Sequence, residues 1–82
     1  MREHILHVLE DTYGNGVFVD ALTDELVRQI PQWKLEHDAN PGLQSEVERL
    51  IMMRCWDFFT GGTTAESVAH RIKMKLYEAG EW

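Results

Sequence analysis

The 82-residue chain reads as an all-α protein, a compact bundle of about four helices joined by glycine-containing turns. Three observations predict this. Apolar residues recur at spacings of three and four in separate segments, which is the period of an amphipathic helix. Gly14-Asn15-Gly16, Asn40-Pro41-Gly42 and Gly61-Gly62 fall between those segments, where turns belong. With 44% hydrophobic and 27% charged residues, the chain has apolar mass for one core, so one domain is expected.

The first element carries Ile5, Leu6, Val8, Leu9 and Tyr13 at helical spacing, stopped by Gly14, which tolerates a left-handed conformation. The second is expected over residues 17–30, with Asp20 as N-cap and Asp24 and Glu25 near the positive helix end. Leu22, Leu26, Val27 and Ile30 form its stripe. Pro31 should end that helix or open a short turn over 31–36 that carries Trp33 and Leu35 inward. An alternative pairs Val17-Phe18-Val19 as a short strand with residues near Tyr13, a hairpin that is marginal alone.

The third element, residues 43–59, has two apolar faces. At 100° per residue, Leu43, Val47, Leu50, Ile51, Cys55 and Phe58 share one arc. Met52, Trp56 and Phe59 lie nearly opposite. One stripe is enough to join a core, so the second needs cover from this chain, a second copy or a partner. The fourth element opens with Thr63-Thr64-Ala65-Glu66, a capping-box pattern with Thr63 as N-cap. Ala65, Val68, Ala69, Ile72, Leu76 and Ala79 form its stripe, Arg71, Lys73 and Lys75 suit its negative end, and Gly80 closes it.

Composition narrows the function. The single Cys55 excludes an intramolecular disulfide and a cysteine-built zinc site, and its place on the apolar arc reads as buried filler. Nothing at the N-terminus resembles a signal peptide and no run of about 18 apolar residues occurs, so the expected compartment is the cytoplasm, without membrane contact. Net charge is −6. Residues 1–48 hold ten acids against three bases, whereas residues 49–82 hold four acids against five bases. An acidic front argues against general nucleic-acid affinity and suits a basic protein surface.

No constellation carries strong chemistry. His4, His7 and Asp11, or Glu3, His7 and Glu10, share a helical face, but neither set has metal-motif spacing or an evident fourth ligand. Neither Ser45, Ser67 nor Cys55 sits in a nucleophile motif, and Gly14-Asn15-Gly16 lacks the lysine of a phosphate loop. So short a chain is also expected to have little volume for a pocket of about 300 Å³. No cofactor is expected, and the chain reads as a non-enzyme. The fourth helix offers one alternative: Thr64, Ser67, Arg71, Lys73 and Lys75 would be the contacts if it were the recognition helix of a helix-turn-helix.

Residues 63–82, with Ala65-Glu66-Ser67-Val68-Ala69 running on to Glu78-Ala79-Gly80, resemble in style the short acidic helical accessory proteins of phages and mobile elements. That group includes inhibitors of host defence such as anti-CRISPR proteins. The resemblance implies an inhibitor that occludes a surface on a larger complex, and it transfers no functional residue. The expected function is therefore protein binding. Met52, Trp56 and Phe59 would be the apolar anchor, and Asp20, Asp24 and Glu25 the steering charges toward a basic partner. A self-associating dimer would use the same apolar stripe.

Overall fold

In the computed structural model, residues 1–37, 45–59 and 61–82 are described. Four helices follow one another: α1 (Arg2–Tyr13), α2 (Val17–Glu36), α3 (Glu46–Phe58) and α4 (Thr63–Glu78). Helix α1 packs on α2 and α4, and α3 packs on the same two, so the helices form a closed ring around one core. The all-α four-helix reading holds, and no strand occurs among the described residues.

The expected stripes supply the core. Helix α1 buries Ile5, Val8 and Leu9, α2 buries Leu22, Leu26 and Ile30, and α3 buries Val47, Ile51 and Cys55. Helix α4 adds Ala65, Val68, Ala69, Ile72 and Leu76. Ala79, assigned to the same stripe, is exposed because the helix has already ended. Helix α1 stops at Gly14, whose φ of 82° favours glycine.

Helix α2 departs from expectation at both ends. Val17, Phe18 and Val19 are helical rather than a strand, and Gly16 rather than Asp20 is the N-cap. Asp20 lies in the first turn, where its charge still complements the helix dipole. The helix also runs through Pro31 to Glu36 without a break. Proline removes one backbone donor, a loss of about 3 kcal/mol or more in a helix interior. Here Pro31 is exposed, so water can reach the freed carbonyl, while Ile30 and Trp33 beside it are buried. Continuity also explains Leu35, which is exposed rather than inward: two residues past Trp33 is about 200° around the helix.

The expected turn at Asn40-Pro41-Gly42 and the start of the third element at Leu43 lie outside the described residues. Helix α3 opens at Ser45, whose Oγ accepts a hydrogen bond from the Glu48 N–H at 3.1 Å. The Thr63 capping box does not form. Gly62, at φ 81°, is the N-cap of α4, and its carbonyl accepts from the Glu66 N–H at 3.2 Å. Thr63 is already helical, so its hydroxyl lies one position too far along to cap.

Candidate partner-binding surface

The second apolar face of α3 divides between the core and the solvent. Phe59 stacks on Tyr13, with ring centroids 4.1 Å apart and planes within 5°. Met52 is half-buried against the core. Trp56 alone of the three stays open, at 52% exposure. Its indole lies over Gly61: a Cβ there would meet Trp56 Cδ2 at 2.5 Å. Glycine at that position lets the ring lie flat on the turn. One helical turn earlier, Met53 is 46% exposed and extends the open strip. The sequence reading missed Met53 because its neighbour Met52 fitted the apolar arc better.

Three further apolar side chains went unflagged: Tyr77, 52% exposed near the end of α4, and two in α2. Val17 is 80% and Phe18 66% exposed, both in the first turn of α2. Only the length of α2, which starts three residues before Asp20, places them on a helix facing solvent.

The acidic residues differ in freedom. Asp20 is exposed, and no ion pair engages it among the described residues. Asp24 is exposed and bonded to Arg2 of α1. Glu25 is half-buried, accepts from Gln29 at 2.9 Å and lies 3.5 Å from Arg54 of α3. Arg54 also donates to Asp57 at 3.0 Å.

The basic residues of α4 differ in their burial. Lys73 is 2% exposed, with Nζ 3.4 Å from Oε1 of the buried Glu48. His70 Nδ1 lies 3.3 Å from the same oxygen. Arg71 donates to Asp11 at 2.7 Å and to Thr12 at 3.1 Å, tying α4 to α1. Lys75 is half-buried. Of the residues named for a helix-turn-helix, burial removes Lys73 from any phosphate, whereas Thr64, Ser67 and Arg71 are exposed.

Chemistry elsewhere is sparse. Burial pushes the Cys55 thiol up to about 12, so the thiolate that a nucleophile needs is suppressed. The Tyr13 hydroxyl is also raised to about 12, by burial first and by nearby Cys55 second. That hydroxyl finds no hydrogen-bond partner among the described residues. Among those residues no group of three or more His, Cys, Asp or Glu is arranged to hold a metal. His4 instead lies 3.7 Å from Glu81, and Asp11 carries Arg71. Two open grooves, of about 320 and 390 Å³, flank Arg71 along the α1–α4 seam, so volume is less scarce than chain length suggests. The first is lined by His7, Asp11, Lys75 and Glu78 among others, and the second by Thr12, Thr63, Thr64 and Ser67. No helix is long and apolar enough to cross a membrane among the described residues.

No protein-family model matches this chain, no curated protein matches it, and no solved structure matches it.

Proposed function

We propose that this protein is a small non-enzymatic module that binds another protein and acts by occluding a surface of a larger complex. One observation carries the reading: Trp56, a large aromatic residue, stands half exposed over Gly61 with Met53 beside it. Solvent-exposed tryptophan is costly to leave uncovered and is enriched among residues that dominate binding energy. Asp20, Asp24 and Glu25 supply an acidic flank that steers a basic partner, Asp20 being the most available of the three. A dimer through the same strip would bring like-charged surfaces together, and the strip of Met53 and Trp56 is narrow, so a foreign partner fits better.

The test is Trp56→Ala. Thermal stability should fall by less than about 1 kcal/mol, because half of the ring already meets water. Retention of a partner by the immobilised protein should be lost. A destabilisation of about 3–5 kcal/mol would make Trp56 a core residue and remove the anchor.

A further inference from the structure

Exposed apolar side chains occur at both ends of the bundle, with Leu35 and Tyr77 where α2 and α4 finish. Only the end where α1 and α3 finish and α2 and α4 begin combines three of them with an excess of acidic charge. Val17, Phe18 and Trp56 all lie there and are 80%, 66% and 52% exposed. Residues 8–26 and 52–72, which build that end, hold seven carboxylates against two cations, Arg54 and Arg71. The rest of the chain nearly balances, with seven acids against six bases. Both guanidiniums at the acidic end are already engaged, Arg54 by Glu25 and Asp57 and Arg71 by Asp11, and Asp24 is paired with Arg2 from the start of α1. Asp20 and Glu66 are exposed there, with no ion pair to either among the described residues.

This pairing of features selects an occupant. Apolar side chains at a helix start would suit a membrane, but anionic headgroups would meet the carboxylates. Nucleic acid meets the same repulsion. A second copy would set two acidic ends face to face. A protein surface with an apolar strip rimmed by lysine and arginine meets both features at once. We propose that this end is the docking face, that Val17, Phe18 and Trp56 enter such a basic-rimmed apolar surface, and that Asp20 and Glu66 pair with its cations. The inference rests on the binding-module reading and names its surface and the chemistry of its partner.

The probe is a synthetic amphipathic helix of about 18 leucines and lysines, titrated into isotopically labelled protein and followed by backbone amide shifts. Shifts should centre on Val17, Phe18, Asp20 and the Trp56 indole, and affinity should fall severalfold from about 50 to 300 mM salt. Phe18→Ala should weaken binding about tenfold or more while leaving the melting temperature within a few degrees. Equal binding of a leucine–glutamate peptide at the same residues would overturn the basic partner. Shifts confined to the α1–α4 grooves, or none at low salt, would overturn the docking face. Melting of Trp56→Ala, read in parallel, separates the two levels: a collapse sinks the binding-module reading itself, whereas an unchanged melt with misplaced shifts sinks this docking face alone.

Discussion

Helix α4 is held on each flank by an ion pair of the same type, but the surroundings of the two pairs differ. Toward α3, Lys73 and Glu48 lie 3.4 Å apart with side chains 2% and 6% exposed. Toward α1, Arg71 and Asp11 lie closer, at 2.7 Å, with side chains 44% and 61% exposed. Distance alone would rank the α1 seam as the stronger. Burial reverses the ranking for mutation, because losing one partner strands a charge only where water cannot reach it. The same contrast governs accessibility, since the lysine held in the first seam is kept from solvent.

Breaking the buried seam should have the largest effect. Lys73→Ala should cost about 3–5 kcal/mol in denaturant unfolding, and the double change Glu48→Leu with Lys73→Met should recover most of it. A loss below about 1 kcal/mol would erase the distinction between the seams. Alkali tests the core that both seams enclose. The Cys55 thiol is raised in the folded state from 9.0 to about 12, so its contribution is complete below pH 9 and is lost as pH climbs through about 12. Tyr13, also raised to about 12, acts in the same direction above pH 10. Unfolding free energy should drop by about 1.4 kcal/mol per pH unit from the thiol alone. A flat profile between pH 9 and 11 would contradict the burial of Cys55.

Ser45→Ala removes the cap of α3 one turn from Glu48 and should cost about 1 kcal/mol. Arg71→Ala, in the exposed seam, should cost about 0.2–1 kcal/mol, and the difference from the parent protein should shrink in concentrated salt. A cost like that of Lys73→Ala would mean the α1 seam is less wet than its exposure indicates. The smallest change is expected for Thr63→Ala at the start of that seam, within about 0.5 kcal/mol, because Gly62 is the cap. Denaturant midpoints check all three.

Periodicity made the fold legible: every helix and nearly every buried apolar residue follows from spacings of three and four. Local punctuation was less reliable. Pro31 reads as a stop, yet burial of Ile30 and Trp33 on either side of it outweighs the lost donor. Two sites share the pattern of a hydroxyl residue followed three positions later by glutamate. At Ser45 the hydroxyl caps, whereas at Thr63 a glycine with positive φ takes the cap one residue earlier. The candidate site was legible only in part. Spacing marked Met52, Trp56 and Phe59 as a second face but not how it is covered: Trp56 stands open, whereas Phe59 finds Tyr13, an aromatic pair about 46 residues apart that helical spacing cannot reveal. Lys73 follows Ile72 on the rim of its stripe, and its pairing with the facing Glu48 could not be read from helical spacing.

The closed ring of helices also bears on how the chain finds its structure. Three of the four packed pairs join helices that follow each other in sequence, and such local partners form quickly. The α1–α4 pair alone must close a span of 60 residues, as from Asp11 to Arg71, at a cost in chain entropy that few contacts offset early. By that argument the α1–α4 seam is the last of the four to close, joining two helices each already packed on its neighbour in sequence. Weakening that final seam hastens opening and leaves the rate of assembly almost unchanged. Opening of the native ring should therefore begin at that seam, read as early loss of amide protection where α1 faces α4.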